Sequence, residues 1–350
     1  MSAPLRQTVG REVVKATLSP MLRWKPMATP ESGYTVVLGV PWDLRHLLPV
    51  NVKFMARTDL SGMKRLHVVF DRRKRPGMDE LEASVRKEFP HIPFEFSHYP
   101  GMAGRVIEKV NVSTFYNSMN TVIALGACRT KYAILHDFDL FPIDPRYFAE
   151  VHRTLAERKL RFAGIEATPF DGLSEDEKIV GTWCLGIDVE WLRANWRPID
   201  CFHRVAEFNG RKLNLDPYSW IQTKTPERDL VTTLDRTAFC HVQNLCSTYL
   251  RFITGRKASI VWRLHYVWYL ETLTGNTANF DAALAAMENA TSSTLVVNAY
   301  EVDFKGSDPG CAGFLDKELR MMETALFGHV RPEVERFTAA FDRFLRSRCT

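Results

Sequence analysis

Residues 132–142 read Tyr-Ala-Ile-Leu-His-Asp-Phe-Asp-Leu-Phe-Pro. An apolar run, Tyr132 to Leu135, leads through His136 into two carboxylates, Asp137 and Asp139, and Pro142 ends the stretch. Two closely spaced carboxylates at the end of a buried strand concentrate negative charge where water is scarce. That charge is costly unless a cation or a substrate neutralises it. Hard divalent cations that take oxygen ligands, Mn²⁺ or Mg²⁺, meet this demand and commonly arrive with substrate phosphates. For a random Asp-x-Asp, a pair of solvated turn carboxylates would be the favoured reading. The apolar strand before the pair and the proline after it tip the reading toward metal binding.

The elements around the pair must position it. Residues 33–41 read as a buried strand and 66–70 as a second, with 92–99 alternating into a third. Helical patterns fall at 44–55 and 80–89, and a further helix opens at Ser113 or Thr114, good N-cap types. Phe115, Met119, Val122 and Ile123 give that helix one apolar stripe. Strands alternating with helices predict an α/β protein built on a parallel sheet with right-handed crossovers. Ligands of such sheets sit beyond the carboxyl ends of the strands. Those ends bear Pro41-Trp42-Asp43, Asp71-Arg72-Arg73 and the Asp pair, so polar and basic groups converge where a nucleotide would lie.

Composition narrows the partners. With 350 residues, 45% of them hydrophobic, the chain can bury a substantial core. A net charge of +5 is too mild for a nucleic-acid footprint, and no basic run is interleaved with aromatics. The densest basic cluster, Arg72 to Arg75, follows a strand end, where Arg72 or Arg73 could contact a nucleotide while the others face water. Seven scattered cysteines without a Cys-x-x-Cys pair argue against structural zinc and fit a reducing cytoplasm. No signal peptide, anchor or spanning segment is expected, so the expected location is cytoplasmic.

Over residues 33–148 the chain resembles the GT-A glycosyltransferases, and most closely over 111–148. Asn111, Asn117, Asn120, the Thr130-Lys131-Tyr132 strand opening and His-Asp-Phe-Asp-Leu-Phe-Pro are similar to LARGE-type glucuronyltransferases. The Asp-x-Asp followed by a proline is also similar to the β-1,4-galactosyltransferases. The resemblance implies a GT-A (Rossmann-like), mostly parallel sheet flanked by helices. It further implies a metal-dependent transfer, with inversion, from a nucleoside diphosphate sugar, a UDP-sugar first, to a glycan or other hydroxyl acceptor. Two alternatives stay open: a non-catalytic glycan- or nucleotide-binding descendant, and a haloacid-dehalogenase-type phosphatase. The second usually continues its motif with Thr or Val, where this chain has Leu140-Phe141-Pro142. A nucleotidyltransferase would want a glycine-rich loop that residues 39–43 lack.

The same resemblance assigns roles. Asp139 would bind Mn²⁺ or Mg²⁺ directly, and Asp137 would do so directly or through water while contacting the ribose. His241, inside the apolar run Ala238 to Val242, would complete the metal shell, with His265 as its rival. Pro41, Trp42 and Asp71 would line the nucleobase. Asp216 precedes Pro217 and reads either as the N-cap of a helix or as the base that deprotonates the acceptor. Asp188 and Glu190 are weaker candidates for that base, Asp188 also being a plausible helix cap.

The expected organisation is an N-terminal segment without strong pattern (1–30), a nucleotide-sugar half (31–150), an acceptor half (151–305) and a helical extension (306–350). The extension's last helix sets Val334, Phe337, Phe341, Phe344 and Leu345 on one side and arginines elsewhere. It would pack on the domain, form a dimer, or rest on an anionic inner membrane face beside a lipid-linked glycan acceptor.

Overall fold

The structure, a computed structural model, describes residues 3–110, 112–168, 177–256, 260–298 and 300–349, so Asn111 lies outside the described residues. The chain forms two compact units, each discontinuous in sequence. The first comprises residues 1–42, 59–138 and 146–235, and the second 43–58, 139–145 and 236–350. The boundaries expected at 150 and 305 do not coincide with these units, because two short segments, 43–58 and 139–145, belong with the C-terminal third.

The first unit is built on a sheet whose strands are β1 (Glu31–Val40), β2 (Met63–Phe70), β3 (Phe94–His98), β4 (Thr130–His136), β6 (Phe162–Gly164), β7 (Cys184–Asp188) and β10 (Arg228–Leu230). The order across it is β10-β6-β7-β4-β1-β2-β3. β4, β1, β2 and β3 run parallel, β10 runs parallel to β6, and β7 is antiparallel to both of its neighbours. The mostly parallel α/β sheet expected from the alternating pattern is therefore present. Strands buried on both faces need continuous apolar runs, and Val36-Val37-Leu38, Val68-Val69-Phe70 and Ile134-Leu135 supply them, all buried.

Helices α3 (Met78–Glu88), α4 (Gly101–Val110), α5 (Ser113–Ala127), α6 (Tyr147–Glu157), α7 (Val189–Asn195) and the short α8 (Ser219–Gln222) belong to this unit, as does the hairpin β8 (Arg204–Phe208) with β9 (Arg211–Leu215). Phe115, Met119 and Val122 of α5 join Val37, Val69 and Leu135 in one buried cluster. Gly39 permits close packing there: a Cβ on it would lie 2.5 Å from the amide nitrogen of Asn120. The N-terminal segment is not patternless. It forms α1 (Ala3–Leu18), buries Leu18 and Leu22, and donates a hydrogen bond from Trp24 Nε1 to the Val122 carbonyl at 3.0 Å. Its apolar positions are few, so the helical period was too weak to read.

The second unit contains a 3₁₀ turn (Trp42–Leu47, all but its first residue), α2 (Leu48–Met55) and β5 (Leu140–Pro142) paired antiparallel with β11 (Phe239–His241). Also within it are α9 (Leu245–Ile253), α10 (Leu264–Thr272), α11 (Ala278–Glu288), the hairpin β12 (Thr294–Val297) with β13 (Tyr300–Asp303), α12 (Gly310–Phe327) and α13 (Pro332–Arg348). The two expected C-terminal helices are α12 and α13. Val334, Phe337, Phe341, Phe344 and Leu345 of α13 are all buried. That apolar face is thus used for packing and is not free to lie on a membrane, contrary to the third possibility above. Among the described residues no helix is long and apolar enough to cross a membrane.

Candidate active site

In the first unit, register brings the strand ends together. Leu38 pairs with His136 across β1 and β4, and Val40 with Phe70 across β1 and β2. Trp42, Asp71 and Asp137 therefore leave the sheet at one edge, where α/β proteins bind ligands. The buried Asp71 accepts a hydrogen bond from the Trp42 backbone N–H at 2.8 Å and pairs with Arg72 at 3.0 Å. Arg72 also lies over the Tyr116 ring at 5.0 Å, and Trp42 sits edge-on to Phe70 at 5.7 Å. These groups brace one another at the strand ends. The rest of the basic cluster is engaged elsewhere: Arg73 with Glu108 at 3.1 Å, and Lys74 with Asp79. Of the two arginines proposed for the nucleotide, only Arg72 is joined to the strand-end groups.

Asp137 is held from two directions. Its backbone N–H donates to the Trp183 carbonyl at 3.0 Å, and its carboxylate accepts from Asn117 Nδ2 of α5 at 3.3 Å. His136, just before it, is buried against Tyr147 and Phe148 and is a core residue.

In the second unit, β5 and β11 place Asp139 and His241 side by side. His241 pairs with Leu140, and the Val242 N–H donates to the Asp139 backbone carbonyl at 2.9 Å. Nε2 of His241 then stands 3.7 Å from Oδ1 of Asp139, and both residues are buried. That separation is too long for a good hydrogen bond. It matches two ligands about 2.1 Å from one cation, which lie roughly 3–4 Å apart. Asp137 lies two residues before Asp139 in the chain, so the sequence adds a second carboxylate next to the Asp139–His241 pair. Two hard oxygens and one borderline nitrogen fit Mn²⁺ better than Mg²⁺.

His265, the rival ligand, is fully buried within α10, its Nδ1 2.9 Å from the Trp262 carbonyl and its ring against Trp268, Phe304, Phe337 and Phe341. Burial pulls its pKa down to about 3. It is a core histidine.

The two candidate bases separate clearly. Asp188 caps α7 by accepting from the Trp191 N–H at 3.0 Å and pairs with Arg161 at 2.6 Å. It is the register partner of Tyr132, whereas His136 pairs with Cys184. Asp188 therefore sits at the opposite end of β4 from Asp137, roughly 16 Å along the strand. The structure does not bring it, or Glu190 beyond it, to the Asp pair; cap and ion pair account for it. Asp216 is also not where its sequence neighbours implied. Helix α8 begins two residues later than expected, at Ser219, with Tyr218 in the left-handed region (φ 67°) before it, so the Asp216 side chain is no cap. Burial raises the pKa of Asp216, with His203 nearby pulling the other way. Tyr218, two residues on, donates to Thr121 of α5 at 2.8 Å, and the Thr121 hydroxyl in turn donates to the Asn117 carbonyl at 3.2 Å. The Asp216 corner is thereby fastened to α5 one turn from the residue that holds Asp137.

Sequence reading missed Asn117 as a support, although its type was noted, and missed Arg263 and Glu318 of the second unit. Glu318, in α12, accepts from the Tyr266 hydroxyl, and its pKa is raised by burial. An arginine inside an aromatic run and a glutamate on an amphipathic helix give no local signal.

No protein-family model matches the chain, and no curated protein matches it. The chain is similar to solved structures that include the mannosyltransferase PcManGT from Pyrobaculum calidifontis in complex with GDP-Man and Mn²⁺, with 14% identity, a TM-score of 0.37 and 97% of each chain covered. They also include S. aureus TarS 1-349 with UDP (11% identity, TM-score 0.37, 90% of this chain and 89% of that one). The galactosyltransferase LgtC, in complex with donor and acceptor sugar analogs, gives 10% identity and a TM-score of 0.39 over 56% of this chain and 72% of that one. Likeness at this level carries no inference about donor, metal or mechanism. Those must come from the residues.

Proposed function

We propose that the chain is a metal-dependent GT-A-type glycosyltransferase that moves a sugar from a nucleoside diphosphate sugar, a UDP-sugar first, to a hydroxyl of a glycan or lipid-linked glycan, with inversion. The observation behind this reading is a parallel-sheet edge that ends in Asp137 and runs directly into Asp139 beside His241 at 3.7 Å. Asp137, Asp139 and His241 would hold Mn²⁺ or Mg²⁺. Such an ion supplies Lewis-acid neutralisation of the charge that builds on a leaving diphosphate.

The remaining roles belong to the chain's own groups. Asn117 fixes the Asp137 carboxylate and so its direction. Asp71, braced by the Trp42 N–H and by Arg72, keeps the nucleoside edge in shape, with Pro41 and Trp42 forming its wall. Asp216 would take the proton from the acceptor hydroxyl. A sugar hydroxyl is a poor nucleophile at neutral pH, and a carboxylate with a raised pKa is a better base than an ordinary one.

A donor screen tests the reading. Hydrolysis of a panel of nucleotide sugars is measured with Mn²⁺ and with EDTA, and metal-dependent release of nucleoside diphosphate from one donor class is expected. No release from any donor, together with phosphate release from p-nitrophenyl phosphate, would instead select the phosphatase alternative.

A further inference from the structure

Arg263 ends a 3₁₀ turn (Val261–Arg263) that leads straight into α10, within the second unit. Its Nε and Nη1 atoms are buried and have no hydrogen-bond partner among the described residues. Arg263 as a whole is half-buried and its guanidinium lies over the Trp262 ring at 5.3 Å, so the cost falls on these two N–H-bearing atoms, buried without an acceptor. The desolvation is large enough to lower the pKa even of this group.

The groups that act on it electrostatically are informative. They are Asp139, Glu318 and Tyr266, all of the same unit. Glu318 is already engaged by the Tyr266 hydroxyl, and no carboxylate among the described residues forms an ion pair with Arg263. The guanidinium is thus within electrostatic range of the candidate metal ligand Asp139, while its Nε and Nη1 have no hydrogen-bond partner among the described residues. If a divalent cation occupies Asp139, the Arg263 charge becomes a second positive centre beside it. Two positive centres with open donors are matched by a ligand of high negative charge density.

We propose that Arg263 is an anion-binding residue, whose open N–H donors take phosphate oxygens of the nucleoside diphosphate. The inference rests on the glycosyltransferase reading and deepens it by naming the residue that would share the leaving group's charge with the metal. It also gives the buried, unpaired Nε and Nη1 of Arg263 an acceptor, supplied by the substrate. Planar guanidinium suits this role better than an ammonium, being more weakly hydrated and able to make several phosphate contacts.

The test compares wild type, Arg263→Met and Arg263→Lys in three measurements. Affinity for UDP and for GDP is determined by calorimetry in saturating Mn²⁺, Mn²⁺ affinity is determined without nucleotide, and thermal melting is followed without either. Arg263→Met is expected to weaken diphosphate binding about 10- to 100-fold, on the usual scale for a charge-assisted hydrogen bond. Arg263→Lys should recover part of the loss. Mn²⁺ affinity should not fall, and the melting temperature of Arg263→Met should be equal to or higher than that of wild type. Unchanged diphosphate affinity in Arg263→Met overturns the assignment while leaving the glycosyltransferase reading intact. A lower melting temperature with unchanged affinity in both variants assigns Arg263 to the fold instead. Failure of wild type to bind any nucleoside diphosphate with Mn²⁺ overturns both readings together.

Discussion

The surroundings of His241 and of His265, both in the second unit, form a natural contrast. Both imidazoles are buried, and both come from short runs of apolar and aromatic residues. His241 lies against a carboxylate, Asp139, at 3.7 Å. His265 lies among four aromatic rings, the nearest, Phe341, at 4.1 Å between centroids. Burial alone does not tell a ligand from a core residue. The charge placed opposite the ring does, and that charge arrives through strand pairing between residues about a hundred positions apart.

The sharpest way to break the contrast is to remove the carboxylate that creates it. Asp139→Asn keeps size and some hydrogen bonding while losing the charge. Turnover is expected to fall about 10³-fold, the scale for losing one electrostatic stabiliser of a transition state, with cooperative unfolding retained. A loss below about tenfold would remove Asp139 from the site.

A second contrast, between Asp216 and Asp188, has the next largest expected effect. Asp188 caps α7 and is ion-paired with Arg161, so Asp188→Asn should act on stability, costing roughly 1–3 kcal/mol in urea unfolding and leaving kcat close to wild type in the surviving fold. Asp216→Asn should lower kcat by about 10²- to 10⁴-fold and should stabilise the protein at neutral pH. The sign follows from the raised pKa of Asp216. The fold favours its neutral form, so its ionisation costs stability as pH rises through the folded value. The gain from Asn should vanish below the ordinary aspartate value near ~3.9. Near-full activity in Asp216→Asn would retire it as the base.

How much of this was legible is best seen at particular residues. The parallel sheet was readable because β1, β2 and β4 are continuous apolar runs, a signal that needs no tertiary context. Asp137 and Asp139 were readable because they follow such a run within one segment. The pairing of His241 with Leu140 was not visible, since β5 and β11 are three residues each and cannot be read by period. The start of α8 was misplaced because Pro217 looked like a helix opener, while Tyr218 takes the left-handed conformation and delays the helix. Asp188 was misread as a possible base because strand direction is invisible locally. Once β7 runs antiparallel to β4, its end lies far from the pair. The segments 43–58 and 139–145 pack on each other, Phe54 on Phe141 at 5.2 Å, and the second pairs with β11 of the C-terminal third, contacts that no local pattern announces.

The two histidines give the smaller effects. His241→Asn should raise the Mn²⁺ concentration for half-maximal activity by about tenfold or more, with metal-free thermal stability nearly unchanged. His265→Asn should leave the Mn²⁺ midpoint where it is and cost roughly 1–3 kcal/mol of stability. The pH dependence separates them further. Because His265 titrates at about 3 in the fold and near ~6.5 unfolded, only the unfolded chain takes up its proton between those values. Wild-type stability should therefore fall as pH drops below about 6.5, by up to ~1.4 kcal/mol per pH unit from this group, and His265→Asn should flatten that slope. An unchanged slope would mean that His265 is not buried as a neutral ring.

In the function proposed above, Asp137, Asp139 and His241 bind a divalent cation together with a nucleoside diphosphate. Calorimetric titration of the wild-type protein with UDP and with GDP, in Mn²⁺ and again in EDTA, tests it most directly. Binding of at least one of the two in Mn²⁺ and its loss in EDTA is the expected result. Equal affinity with and without the metal would contradict the account.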